Sequence, residues 1–338
     1  MPISIVVGGQ FGSEGKGSVS YFFSKKLKAS AVVRVGGVNS GHTVVDNVKG
    51  EFVLRSLPTA AINEDITSVL PSGCYIDLEL LFTEINKTEI IDNNLKIDPF
   101  AVIINKQMKE NEILDDLQYK IGSTLSGTGD AVIQRLRRTT KIKFAKDITS
   151  LNKYICDTKL YLRTLLNKGS HIVIEGTQGF GLSPINSIYW PYCTSRDTTA
   201  AGFLMETGMS PFDVENIIMV IRSMPIRVGG NSGLLKKELS WEQVTTKSGS
   251  DIDIIEYTSA TLRKRRIGEF DSEIILKAIE VNNPNIIVMT HLDYIDYNCK
   301  NSYMLTDKIK TFIKHTETSI KRKINYVGTG KNTIFSLN

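Results

Sequence analysis

A chain of 338 residues with 41% hydrophobic content can bury one large α/β core or roughly two average ones. Nothing in it approaches the ~20 uninterrupted apolar residues of a membrane span, and Met1-Pro2-Ile3-Ser4 lacks the charged start of a signal peptide, so a cytoplasmic chain with no membrane partner is expected. The net charge of +5 suits small anionic ligands as well as nucleic acid, and Cys74, Cys156, Cys193 and Cys299 form no C-x-x-C pair, which removes support for metal fingers and disulfide frameworks and leaves buried free thiols.

The first apolar run, "ISIVVGG" (3–9), is continuous rather than alternating, as suits a strand covered on both faces in a parallel sheet. It runs into "GGQFGSEGKGS" (8–18), which has the character of a phosphate loop but departs from the P-loop pattern. Gln10 stands five places before Gly15, and Gly17 follows Lys16 in place of serine or threonine. A helix over 15–28 is predicted next, with Val19, Phe22, Phe23 and Leu27 at helical spacing. Gly9, Gly12, Gly15 and Gly17 therefore lie where backbone N–H groups and a helix dipole attract phosphate, and Lys16 adds a point charge; the bland alternative is a structural tight turn.

The second run, "SAVVRVGG" (30–37), leads into "GGVNSGHTVV" (36–45), so His42, with Asn39 and Gly41 beside it, is expected to face the same crevice as Lys16. Polar segments of this kind recur at "GSTLSGTGDAVIQRLRR" (122–138), at "HIVIEG" (171–176) running into "EGTQGFGL" (175–182), and at "WPYCTSRDTTAAG" (190–202). Beyond the apolar "NIIMVIRSMPIRVGG" (216–230), "TSATLRKRRIGEFD" (258–271) leads hydroxyls into Arg263, Lys264, Arg265 and Arg266. That order suits carboxylate and phosphate recognition better than a surface run or localisation tag. A helix over 272–283 and a strand in "NIIVMTHLDYI" (285–295) follow. The amphipathic stretch 307–324 carries Lys321, Arg322 and Lys323, read as a solvated face in preference to a nucleic-acid patch. With no internal repeat, low-complexity tract or linker, the expectation is a single α/β domain over 1–338 with a mostly parallel central sheet covered by helices.

Taken in order, "GSEGKG", "NSGHT", "EGTQG", "YCTS", "TLRKRR" and "THLD" resemble adenylosuccinate synthetase over nearly the whole chain, in a compact form lacking some insertions. The resemblance implies a Mg²⁺-dependent ligation in two steps. A nucleoside triphosphate phosphorylates O6 of a 6-oxopurine monophosphate, and the α-amine of L-aspartate then displaces phosphate. Ser13, Lys16 and His42 would stand at the reacting atoms, His42 donating to the O6 side while Lys16 and Arg265 offset charge on the transferred group. The resemblance assigns the triphosphate to Gly12, Gly15, Lys16, Gly17, Ser18, Gly41, His42, Thr43, Arg265, His291, Asp293, Gly328 and Gly330. It assigns the monophosphate to Ser13, Glu14, Asn39, Thr124, Arg138, Gln178, Thr194 and Arg263, L-aspartate to Ser259, Ala260, Thr261, Leu262 and Arg263, and Mg²⁺ to Ser13 and Gly41. Arg138 matches an arginine that reaches the phosphate of the other subunit, which implies a homodimer, and no nucleic-acid partner is implied.

Two departures redirect the expectation. The family's loop reads G-D-E-G-K-G, and its aspartate takes the N1 proton and helps hold Mg²⁺; here the position is Ser13, which has no useful basicity near neutral pH. A bacteriophage branch of the family, 2-aminoadenylosuccinate synthetase, carries serine here and acts on dGMP in making diaminopurine for phage DNA. A short neutral side chain leaves room for the guanine 2-amino group. Resemblance to that branch implies that dGMP, L-aspartate and ATP give 2-amino-2'-deoxyadenylosuccinate, ADP and phosphate. The alternatives are an ordinary GTP-dependent enzyme acting on IMP, and a binding module without turnover, against which the intact Lys16, His42 and Arg263 argue. The second departure is "THLD" in place of a guanine-reading T/N-K-x-D. Asp293 keeps the carboxylate, His291 replaces the lysine, ATP or dATP is favoured as donor, and "YVGTGKN" (326–332) would complete the base pocket.

Overall fold

Ile3, Ile5 and Val7 pack into one buried apolar cluster while Val6 packs into another, so the first strand, β1 (Ile3–Gly8), has a core on each face. The same alternation holds for Val33 against Val32, Ile174 against Val173, Ile221 against Val220, and Met289 against Val288. That period of two is why the runs read as apolar throughout. The computed structural model describes residues 2–258 and 262–337.

These strands form a nine-stranded sheet. After β1 come β2 (Ala31–Arg34), β3 (Thr67–Leu70), β4 (Leu95–Ile97), β5 (Ile172–Glu175), β6 (Val214–Arg222), β7 (Ile286–Thr290), β8 (Tyr326–Gly330) and β9 (Thr333–Ser336). Their spatial order is β9-β8-β7-β6-β1-β5-β2-β3-β4, and every pairing is parallel except β8 with β9. The expected mostly parallel α/β sheet is thus observed. Because β1 through β8 run one way, the loops after β1, β2, β5, β6 and β7 all emerge at one carboxyl edge, where open α/β sheets hold ligands.

The helix α1 (Lys16–Lys26) leaves the first of these loops. Its N-cap is Gly15, at φ 88° and without a capping side chain, so the first-turn N–H groups stay available to an anion. The run at 216–230 does not continue as one strand: β6 ends at Arg222, and Ile226–Arg227 joins a small antiparallel sheet with Arg266–Gly268 and Glu238–Leu239. Pro225, with no N–H to give a ladder, falls at the break. The helix expected over 307–324 ends at Ile320, because Lys321 turns left-handed at φ 54°; Lys321, Arg322 and Lys323 are exposed beyond it. All four cysteines are free thiols, Cys74 and Cys299 buried, Cys156 and Cys193 half-buried.

Candidate active site

One cavity of about 1940 Å³ runs along the carboxyl edge of the sheet. Single-ligand pockets span roughly 300–1,000 Å³, so the space suits more than one small molecule.

At its centre the loop after β1 is held by its own side chain. Glu14 is fully buried, accepts from the N–H groups of Gln10 at 3.1 Å and Gly12 at 2.8 Å, and pairs with Lys16 Nζ at 2.5 Å. Lys16, the expected phosphate ligand, is thus occupied by a carboxylate. Gly17 answers why the usual serine or threonine is missing: a Cβ there would lie 2.8 Å from His42 Cβ and 2.9 Å from the Thr43 carbonyl oxygen. The segment that carries His42 needs that space.

His42 starts a hairpin of His42–Asp46 with Gly50–Leu54 and lies against Glu175 at the end of β5, Nδ1 to Oε1 2.7 Å. The other carboxylate oxygen of Glu175 accepts from the Thr59 hydroxyl at 2.6 Å and the Thr59 N–H at 3.0 Å. Arg34, at the end of β2, contacts both the His42 ring and Glu175, the latter at 3.1 Å. Burial, reinforced by the Arg34 charge, pushes His42 down to about 3, leaving the ring neutral near pH 7. Burial alone would raise Glu175, but the hydrogen bond from His42, the Arg34 charge and the Thr59 hydroxyl outweigh it and hold the carboxyl at about 2.

Ser13 stands between two arginines. Its carbonyl accepts from Arg222 Nη1 at 2.9 Å, and its hydroxyl accepts from Arg265. Arg222, fully buried at the end of β6, is paired with Glu256, which also accepts from the Tyr294 hydroxyl at 2.6 Å. Burial works against the Glu256 charge, but Arg222 overrides it and holds the carboxyl well below the usual range.

The flanks differ in chemistry. On the β5 side Asn39, Thr124, Gln178 and Thr194 line the cavity, with the Asn39 amide donating to Thr194 Oγ1 at 3.3 Å. Behind them buried Glu206 accepts from the Gly36 N–H at 3.1 Å and pairs with Arg196 at 3.3 Å; burial pushes its carboxyl up to about 7. On the β7–β8 side His291, Asp293 and Gly330 line the cavity, and burial pushes Asp293 up to about 6.

Of the residues named from sequence, the phosphate-loop group Gly12, Ser13, Gly15, Lys16, Gly17 and Ser18 lines this cavity together with Gly41, His42, Thr43 and Arg265. Glu14 lies behind the loop, and Gly328 is buried in β8 beside Thr290. Arg138, just past the helix Thr128–Arg137, and Leu262 and Arg263 are exposed and do not line it. Ser259, Ala260 and Thr261 lie outside the described residues. Sequence reading did not single out Arg34, Thr59, Glu175, Arg222, Glu256 or Tyr294. Arg34 and Arg222 carried a readable sign, a lone cation closing an apolar run at a strand end.

A sequence model described as adenylosuccinate synthetase matches residues 5–146 and 140–299. The chain is 36% identical to an adenylosuccinate synthetase of Methanococcus maripaludis over 338 residues, covering 98% of this chain and 97% of that protein. It is 34% identical to one of Pyrococcus horikoshii over 342 residues, covering 98% and 96%. Its fold matches fully ligated adenylosuccinate synthetase from Plasmodium falciparum with a TM-score of 0.86, at 19% identity and 100% of both chains. It also matches cyanophage S-2L succinoaminodeoxyadenylate synthetase, bound to dGMP and dATP as an energy donor, with a TM-score of 0.81, at 22% identity over 99% of this chain and 95% of that one. At these identities the two solved structures speak for the fold.

Proposed function

The chain belongs to the adenylosuccinate synthetase family of carbon–nitrogen ligases, and from that premise we propose that it joins L-aspartate to C6 of dGMP, with ATP or dATP as phosphoryl donor, to give 2-amino-2'-deoxyadenylosuccinate. Ser13 carries this reading. It lines the cavity where the family's aspartate would stand, and the only side-chain group it offers is a hydroxyl engaged by Arg265. A neutral side chain leaves the base edge beside N1 open for a 2-amino group and repels nothing there. The fold match to a phage synthetase holding dGMP and dATP adds support.

The residues divide the work. An arriving γ-phosphate takes Lys16 from Glu14 and meets Arg265, with Arg222 behind, so cations already in place neutralise charge that develops on transfer. O6 of the base attacks the γ-phosphorus, and the α-amine of L-aspartate then attacks C6 and expels phosphate. As O6 attacks, N1 of the base gives up its proton through solvent to the His42 ring, which then donates to the O6 side while the anionic Glu175 stabilises the imidazolium. Asn39, Thr124, Gln178 and Thr194 hold the monophosphate nucleotide through neutral donors and acceptors, and Arg263 with the segment before it takes the aspartate carboxylates.

Mg²⁺ is implied by the family. Among the described residues no cluster of three His, Cys, Asp or Glu side chains forms a cage for it, and the candidates Ser13 and Gly41 offer neutral oxygens. Ser13 and Gly41 would hold the ion through those oxygens, and when bound it would supply charge neutralisation for the transferred phosphate. Arg138, exposed and outside the cavity of its own chain, would serve the site of a second copy in a homodimer.

The named archaeal relatives favour a second reading, GTP-dependent ligation of IMP. Phosphate release with L-aspartate, run once with ATP and once with GTP, separates the two: dGMP with ATP should support turnover and IMP with either donor should not. Turnover with IMP and none with dGMP would give the second reading.

A further inference from the structure

Asn39 and Thr194 belong to separate loops, the first following β2 and the second following β5, and their own contact at 3.3 Å is long and uncharged. A charged tie lies behind them. Glu206, buried on the helix Ala200–Thr207, accepts from the Gly36 N–H at 3.1 Å, in the segment that leads to Asn39, and from Arg196 Nη1 at 3.3 Å, in the segment that carries Thr194. The same Arg196 nitrogen reaches the Gly73 carbonyl at 3.4 Å, and the guanidinium lies over the Tyr75 ring at 5.3 Å. The Gly73 N–H in turn donates to the Glu206 carbonyl at 3.1 Å. Arg196 and Glu206 do not line the cavity, whereas Asn39, Thr194 and Ser195 do.

Nothing about Gly36 calls for a charge, because a glutamine would accept its N–H as well. The carboxylate matters to Arg196. Ionised, Glu206 offers an acceptor to both loops and cancels the guanidinium charge; protonated, it leaves Arg196 with the Gly73 carbonyl. Burial, aided by Asp197, raises the Glu206 carboxyl to about 7 against the pull of Arg196, the Gly36 N–H and Arg135. Tyr75 and Cys74, its other titratable neighbours, are pushed upward by burial and stay neutral through that range. The tie between the loops therefore loosens as pH falls through about 7.

We propose that Glu206 is a positioning residue for the monophosphate nucleotide: by bridging the Gly36 N–H and Arg196 it holds Asn39 and Thr194 at the spacing which that ligand requires. This rests on the reading of the β5 flank as the monophosphate site.

The test follows kcat, KM for dGMP and for ATP, and the Kd of dGMP by calorimetry, in wild type, Glu206→Gln, Arg196→Gln and the double variant. At about pH 8 Glu206→Gln should raise KM and Kd for dGMP by ~5-fold, with kcat and KM for ATP within ~2-fold of wild type. By about pH 6 the two proteins should differ in dGMP affinity by less than ~2-fold, because wild type has then become the protonated equivalent of the variant. Ionisation of the nucleotide's own phosphate is common to both and cancels in their ratio. Arg196→Gln should match Glu206→Gln at the upper pH, and the double variant should lose no more than either single one. A ratio of variant to wild type that stays constant with pH, a loss shared by kcat and both nucleotides, or additive losses in the double variant each overturns the inference. Repeating the series with IMP keeps the substrate question apart: failure with dGMP sinks the dGMP assignment, and the ratio is then read with IMP.

Discussion

The phosphate end of the cavity and its flanks treat buried carboxylates in opposite ways. At the phosphate end Glu175 is held at about 2 and Glu256 lower still, whereas on the flanks Asp293 is pushed up to about 6 and Glu206 to about 7. Burial acts on all four in the same direction, so the difference lies in their neighbours. Lys16, Arg34, Arg222 and Arg265 crowd three carboxylates at the centre, while among the described residues Glu206 has Arg196 alone within ion-pair reach. On the proposed function the centre takes the phosphates, with Glu14, Glu175 and Glu256 occupying the cations until a ligand arrives, and the β5 flank, lined by hydroxyls and amides, takes the monophosphate nucleotide.

The largest expected effect breaks the centre. His42→Ala should lower kcat by ~10²–10³ with KM for both nucleotides nearly unchanged, because a group aimed at developing charge acts in the transition state. A loss confined to KM would place His42 among the binding residues instead. Next comes sharing between subunits. Arg138→Leu and Lys16→Ala proteins, each inactive or weak, should recover activity when their subunits are exchanged, since a hybrid dimer holds one site with neither lesion. No recovery in mixed samples whose hybrids are confirmed by mass would mean that each chain works alone.

Removing a stand-in carboxylate is a subtler test. Glu14→Gln leaves Lys16 buried without its partner, which costs about 3–5 kcal/mol where buried pairs have been broken. The empty variant should melt well below wild type, and ADP should raise its Tm more than it raises that of wild type. Equal ligand-induced shifts would show that Glu14 does not compete with phosphate.

The smallest effect belongs to the flank. Glu206 has its folded value raised to about 7 from an ordinary 4.5, so the stability it contributes is fully present below pH 4.5 and is lost as pH climbs to about 7. Glu206→Gln, which can still accept from the Gly36 N–H, should remove this slope. The Tm of the variant relative to wild type should rise between pH 4.5 and 7, and a constant difference across that range would mean that Glu206 does not titrate there.

Much of this arrangement was legible in the sequence because it is local. Continuous apolar runs mark strands with a core on both faces, and glycine-rich polar strand ends mark the ligand edge, so Lys16 and His42 could be named without coordinates, and the family resemblance added Gln178 and Asp293. What stayed hidden is relational. Glu175 lies 133 positions from His42 in the chain and Arg222 lies 209 from Ser13, and no spacing rule joins them. Only the sheet order, which inserts β5 between β1 and β2, brings Glu175 to the histidine. The break at Pro225 was hidden for a related reason: an apolar run says that a segment is buried, not that it stays in one sheet.

The account turns on Ser13, and kcat/KM for dGMP and for IMP, measured in wild type and in Ser13→Asp, tests it most directly. The aspartate would add volume and negative charge beside Arg265 and the guanine edge while supplying a base near N1. Wild type should prefer dGMP. In the variant dGMP activity should fall while IMP activity holds or rises, moving the ratio by about tenfold or more, about 1.4 kcal/mol on the transition-state scale. A wild type that already prefers IMP, or a variant in which both substrates change equally, would contradict the assignment of dGMP to this site.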